Sequence, residues 1–350
     1  SFADRLASLR TELARRGLDG FLVPRSDEHL GEYVPKSAER LAWISGFTGS
    51  AGLAIVLADR AAVFTDGRYV LQLAAETDAT LWERRHLIDE PPPAWLRAAA
   101  PPTARIGYDP RLIAAETLAR FAEGGPVMVA VETNPIDAIW TDRPAPPMAP
   151  AVPHPVAFAG RTSAEKRAEI AGILERAGED EAVLTDPASI AWLFNLRGGD
   201  LPYTPVALAF GLIAANGTAT LFIAPEKVDD AVREWLGNAV AVAPPDALPA
   251  ALDALTGKRV RVDPAGSAVW FADRLRAAGA TIVAGPDPCL LPKATKSAAE
   301  QAGARAAHVR DAAALCRFLH WLDTVPPGRE TELSAAARLR AFRAELPLFH

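Results

Sequence analysis

Leu6, Leu9 and Leu13 recur at three- and four-residue spacing over residues 4–16, and Gly17 follows as a C-cap, so the chain opens with an amphipathic helix. Residues 20–23 form a short apolar strand. Residues 24–42, with Pro24 and Pro35, carry no assignable pattern. Two apolar runs, 53–57 and 61–65, are separated by Ala58-Asp59-Arg60, which predicts an antiparallel hairpin with one buried face. Asp66 is placed to cap a helix, with Tyr69, Leu73 and Ala74 at helical spacing behind it. Pro91-Pro92-Pro93 marks a break; a strand at 105–108, a helix at 114–122, a strand at 127–131 and a short helix at 135–140 follow. This alternation describes an α/β unit.

Six prolines between 144 and 155 predict an extended interdomain linker. Thr162-Ser163-Ala164-Glu165 is a capping box that opens a helix to about residue 177. A strand at 182–185, a helix at 187–194 and a hairpin of 206–214 and 218–224 come next, Asn216-Gly217 favouring a type I′ turn. Helices near 227–236 and 267–278 alternate with strands near 259–262 and 280–283. The second half thus repeats the first: Leu41-Ala42-Trp43-Ile44 and Ile190-Ala191-Trp192-Leu193 each precede a hairpin, and Tyr108-Asp109-Pro110 and Val262-Asp263-Pro264 follow at similar spacing. The shared order predicts a duplicated domain. After a proline-bearing linker at 286–292, Ser297 caps a helix of about 25 residues, Pro326-Pro327-Gly328 ends it, and one more helix spans 331–345. Two helices cannot bury a core alone, so they read as the beginning of a third domain.

Composition narrows the function. Half of the 350 residues are apolar, 23% are charged, and the net charge of −6 comes without a basic cluster, which argues against nucleic acid and anionic membranes as partners. No apolar run approaches the roughly 20 residues of a membrane helix, and the N-terminus opens in an amphipathic pattern unlike a signal peptide, so a cytoplasmic protein is expected. Cys289 and Cys316 lie far apart and read as buried small hydrophobes. The histidines, at 29, 86, 154, 308, 320 and 350, show no metal-ligand spacing. Gly46, Gly49 and Gly52 match neither a dinucleotide fingerprint nor a P-loop and read as turn glycines; Ser50 lacks a nucleophile elbow. Arg197-Gly198-Gly199-Asp200 reads as a tight loop with an internal Arg–Asp pair or as a cleft-facing loop. Arg68 is conspicuous: a cation in the first turn of a helix opposes the dipole and invites a partner, either a neighbouring acid such as Asp66 or a bound anion.

Ser45-Gly46-Phe47-Thr48-Gly49-Ser50-Ala51-Gly52, Thr65-Asp66-Gly67-Arg68-Tyr69, Ile139-Trp140-Thr141-Asp142-Arg143-Pro144, Ile190 to Gly198 and Ala307-His308-Val309-Arg310-Asp311-Ala312 resemble, in order, motifs of the three-domain aminopeptidase P family. The resemblance implies an α/β fold with two tandem creatinase-type N-terminal domains, each a mixed sheet with flanking helices, at 1–158 and 159–292, and the first helices of a pita-bread catalytic domain at 293–350. It implies a metallopeptidase that removes the N-terminal residue of peptides with proline in second position, forms a homodimer, and holds two divalent metals, usually manganese, through two Asp, one His and two Glu. Those ligands fall beyond residue 350 in the family pattern. No catalytic or metal-binding residue is therefore assigned here, and the 350-residue chain by itself is expected to be inactive. Within it the resemblance assigns substrate binding to Arg68. A non-enzymatic creatinase-fold protein-binding module is the alternative.

Overall fold

The computed structural model describes residues 1–349. Its first unit runs α1 (Phe2–Arg15), β1 (Gly20–Pro24), α2 (Arg40–Ser45), β2 (Gly52–Leu57), β3 (Ala61–Thr65), α3 (Val70–Glu76), β4 (Glu83–His86), α4 (Pro92–Ala99), β5 (Arg105–Tyr108), α5 (Ala115–Ala122), β6 (Val127–Ala130) and α6 (Pro135–Ile139). The sheet order is β4-β3-β2-β1-β5-β6, with β2 antiparallel to both β1 and β3 and the outer pairs parallel. Because helices cover both faces, the β2–β3 hairpin is buried on two sides and not one, which corrects the one-faced expectation. Ala54, Val56, Ala61 and Val63 pack with Leu6, Leu9 and Trp82, while Ile55, Leu57, Ala62 and Phe64 pack with Trp95 and Leu96. Pro91-Pro92-Pro93 is also corrected: it starts α4, whose first-turn prolines give up amides that have no intrahelical acceptor.

A connecting segment carries β7 (Val152–Pro153) and α7 (Val156–Ala159). The second unit follows with α8 (Ser163–Ala177), β8 (Glu181–Leu184), α9 (Pro187–Phe194), β9 (Leu196–Arg197), β10 (Phe210–Ala214), β11 (Ala219–Phe222), α10 (Asp230–Leu236), β12 (Val240–Ala243), α11 (Leu248–Asp253), β13 (Arg259–Val262), α12 (Val269–Ala277) and β14 (Thr281–Ala284). Its sheet, β12-β11-β10-β8-β13-β14, repeats the first in order and strand direction. Trp43 on α2 and Trp192 on α9 hold equivalent places between the first strand and the hairpin. Even a polar clasp is duplicated. Asp19 accepts from the Arg105 amide at 2.8 Å while the Arg105 side chain donates to the Gly17 carbonyl; Asp180 accepts from the Arg259 amide at 2.8 Å while Arg259 donates to the Gly178 carbonyl.

Three further expectations change. The prolines of 144–155 do not make a free linker: Val152 and Pro153 pair with Arg197 and Leu196, and Ala151 donates to the Lys227 carbonyl at 2.9 Å, so the segment is strapped to the second unit. The Asn216-Gly217 turn is not type I′, since only Gly217 takes a positive φ (82°); Gly217 donates to Ala214, and the glycine closes a three-residue loop. Cys289 is buried, but Cys316 is exposed on α14 (Ala298–Thr324), which, after the short α13 (Leu290–Ala294), packs against α15 (Glu332–Ala344). Only Ala314 on α14 is buried, because α15 covers one stripe and α7 meets only its N-terminal end. No helix among the described residues is long and apolar enough to cross a membrane.

The two units touch at equivalent loops. Ala114 and Ala268, each following the Asp-Pro landmark of its own unit, form an antiparallel bridge, and Val269 donates to the Ile113 carbonyl at 2.8 Å. Arg111 stacks on Trp270 at 3.8 Å, and His29 Nδ1 lies 2.9 Å from the Thr185 carbonyl.

Candidate functional site

Three loops meet at one end of the first sheet: 31–34, 46–51 and the turn 66–69. The glycine loop is rigid for reasons of packing. Gly46 takes φ 89° to end α2, and Gly49 passes so close to the Phe47 and Tyr69 rings that a Cβ would collide with both. Arg25 Nε donates to the Gly49 carbonyl at 3.2 Å, and Glu76 accepts from both the amide and the hydroxyl of Thr48, at 2.8 and 2.7 Å. Ser50 then bridges the other two loops, its hydroxyl donating to Glu32 at 2.9 Å and lying 2.9 Å from the Tyr69 hydroxyl.

Asp66 does not cap the helix. It accepts from the Arg68 amide at 3.0 Å while its carbonyl accepts from Tyr69, a side-chain-locked turn that postpones α3 to Val70 with Tyr69 as N-cap. Arg68 therefore stands ahead of the helix, and the dipole conflict that made it conspicuous in the sequence is absent. Its guanidinium lies on the Asp66 carboxylate, with Nη2 at 2.8 Å, and 5.1 Å from the Tyr69 ring centroid. The side chain is 59% exposed. Hydrogen bonds from Arg68 hold the Asp66 carboxyl below its ordinary range, and the same bonds raise the Arg68 pKa, with Tyr69 and Glu32 adding to the effect. The arrangement is a pre-oriented cation at an exposed tip, with donors left over for an incoming carboxylate or carbonyl. Glu32 was not singled out in the sequence, and Ser50 and Tyr69 were not read as partners, because their contact depends on three separate loops.

In the second unit the Arg197-Gly198-Gly199-Asp200 loop does not contain the expected Arg–Asp pair. Gly198 runs so near Ala207 that a Cβ would meet its backbone nitrogen at 2.6 Å, and the fold there separates the two charges. Asp200, with a fully buried side chain, accepts from Lys227 Nζ at 2.6 Å and from the amides of Leu208 and Ala149 at 2.6 and 3.2 Å. Arg197 instead donates to the Leu196 carbonyl at 2.8 Å, and desolvation lowers its pKa. Nearby, the buried Lys166 is pulled down to about 8 by desolvation, its ammonium on the Trp192 carbonyl and Asn195 Oδ1 at 2.9 and 2.6 Å.

The histidines stay apart. His29 stacks on Phe210, His86 pairs with Asp89 at 3.0 Å, His154 stacks on Phe158, and His308 and His320 are exposed on α14; His350 lies outside the described residues. Among the described residues no group of three or more His, Cys, Asp or Glu side chains converges as a metal centre requires. The described residues thus offer no donor set that fits the dinuclear metal site the family resemblance implies, and no chemical step is assigned to them. Phe47, Trp192 and Phe194 are core residues, and Trp43 stacks on Trp140 at 5.3 Å. A cleft of about 510 Å³ opens between the units beside Trp270 and Pro110, and another of about 440 Å³ lies between α8 and the 286–295 segment.

Two stretches, residues 5–139 and 142–300, each match the Creatinase/Prolidase N-terminal domain. The chain is 34% identical to a probable Xaa-Pro aminopeptidase P of Aspergillus clavatus, a similarity covering 99% of this chain and 55% of that protein. It is 33% identical to a probable Xaa-Pro aminopeptidase P of Coccidioides posadasii, over 98% of this chain and 59% of the relative. The chain thus spans just over half the length of these relatives. Among solved structures, it is similar over its whole length to the X-prolyl aminopeptidase of Caenorhabditis elegans, described as a cytosolic enzyme with a di-nuclear active site, at 26% identity and a TM-score of 0.91, covering 61% of that chain.

Proposed function

The chain belongs to the aminopeptidase P family, with two creatinase-type N-terminal domains in tandem, and from this we propose that it forms the accessory part of a metal-dependent Xaa-Pro aminopeptidase. The whole-length similarity to the nematode enzyme is the observation that carries this reading. In the proposal the first domain ends near residue 158 and the second near 292, and α14 and α15 open a catalytic domain. Their bare faces support this: Val309, Leu319 and Leu333 are 72%, 50% and 84% exposed, apolar surface that a further layer would cover. Two divalent metals, manganese in the family pattern, would be held by residues outside those described.

Arg68 is the residue that this chain brings to the substrate. Fixed by Asp66 at an exposed tip, it binds a carbonyl or carboxylate of a peptide whose second residue is proline. The complete protein is proposed to be a cytoplasmic homodimer. Calorimetry and peptide assays on the 350-residue chain and on the complete gene product test the division of labour. The account expects manganese binding and hydrolysis only in the complete protein; stoichiometric, tight metal binding by the 350-residue chain contradicts it. A complete protein that binds peptides without cleaving them would identify a creatinase-fold binding module instead.

A further inference from the structure

The duplicated fold lets one loop be read through its counterpart. Ala61 and Ala219 hold the same place in the two hairpins, opposite Val56 and Ile213, so Tyr69 and Lys227 occupy equivalent positions beyond them. In the first unit Tyr69 braces the loop that leads into β2, through Ser50. In the second, Lys227 braces the loop that leads into β10, through Asp200. The two loops are therefore equivalent, and the first lies against the Arg68 turn. The second is longer, fifteen residues (195–209) against six (46–51).

That extra length is built to hold one side chain in solvent. Tyr203 is 96% exposed, between Pro202 and Pro205, with a left-handed backbone (φ 59°) that side chains of its shape resist. Thr204 donates to the Leu201 carbonyl to close the tip, Leu201 and Val206 anchor its two sides in a small apolar cluster, and the Asp200–Lys227 pair lies buried at its base. Rigid backbone, bracketing prolines and a desolvated ion pair below an aromatic residue that touches nothing are a costly arrangement unless the ring has a partner. At the foot of the loop β9 pairs with β7, and α7, which follows β7, meets the start of α14, where the Ser297 hydroxyl donates to the Ala159 carbonyl at 3.5 Å, so the foot of the loop lies near the helix assigned above to the catalytic domain.

We propose that Tyr203 contacts the peptide substrate, its ring lying against the proline ring, as the second domain's counterpart to Arg68. This inference rests on the aminopeptidase reading. Aromatic faces on rigid supports are the usual platform for proline, whose fixed ring offers a flat apolar edge at little entropic cost.

The test uses the complete gene product and the variants Tyr203→Ala and Tyr203→Phe, assayed on Xaa-Pro peptides beside thermal melts. The proposal expects Tyr203→Ala to raise KM about fivefold with kcat nearly unchanged and no loss in Tm, and Tyr203→Phe to behave like the wild type. Wild-type KM in Tyr203→Ala, or a raised KM that appears only with a lowered Tm, overturns the substrate contact and leaves the aminopeptidase reading intact. A wild-type protein inert towards Xaa-Pro peptides overturns both.

Discussion

Arg68 and Lys227 are cations in opposite settings, and burial separates them. Arg68 lies in solvent, where its pair with Asp66 is screened and contributes little to folding. Arg68→Ala in the complete enzyme should leave Tm unchanged and lower kcat/KM by a factor on the order of 10–100, the loss expected when one charge-assisted bond to substrate is removed. Unchanged kcat/KM beside a clear thermal shift would remove Arg68 from the site. Lys227 meets Asp200 away from water, and Lys227→Ala strands a buried carboxylate. That variant should lose about 3–5 kcal/mol of stability in denaturant unfolding, whereas a loss below about 1 kcal/mol would mean that the loop relaxes and rehydrates Asp200. Neither partner of Lys227 could be read from the chain, because the pairing joins a loop and a turn 27 residues apart. Arg68 was conspicuous for a reason that the structure corrects: the side chain of Asp66 is spent on a turn, and the helix begins later.

Elements with a strong period or a clear cap were legible: α1 from its leucine stripe, α8 from its capping box, α14 from its Ser297 cap, and the hairpins from paired apolar runs. The strand β4, with Glu83, Arg84, Arg85 and His86, was not, since it is a polar edge strand held by its parallel pairing with β3 and has no apolar signal of its own. The proline segment before α8 misled for the converse reason. Composition favours an extended chain there, and tertiary hydrogen bonds to β9 and Lys227 convert that chain into a strap. His154 on the strap gives it a pH signature. Burial, with Arg197 and Lys166 nearby, lowers its pKa to about 4, against an ordinary value near 6.5 when unfolded. Between those values the unfolded chain binds more protons, so stability is intact above about pH 6.5 and is lost as the pH falls towards 4. His154→Phe should flatten that part of the stability profile by on the order of 1–2 kcal/mol, allowing for the ring's partial exposure. An unaltered profile would show that the ring protonates freely in the folded state.

At the scale of the molecule, the duplication was visible as recurring Trp and Asp-Pro landmarks, and the identical sheet orders and paired Asp–Arg clasps give it a structural basis. What the chain alone did not reveal is how the copies meet, through equivalent loops bridged at Ala114 and Ala268. The resulting body presents Arg68 and Tyr203 on corresponding parts of two sheets and leaves the apolar faces of α14 and α15 open. These parts are proposed to serve a proline-selective, metal-dependent aminopeptidase. The direct measurement is mass spectrometry of products from the complete gene product, incubated with paired peptides that differ only in proline or alanine at position two, before and after chelation and manganese replacement. The account predicts release of the first residue from the proline peptide alone, abolished by the chelator and restored by the metal. Cleavage indifferent to proline, or untouched by chelation, would contradict it.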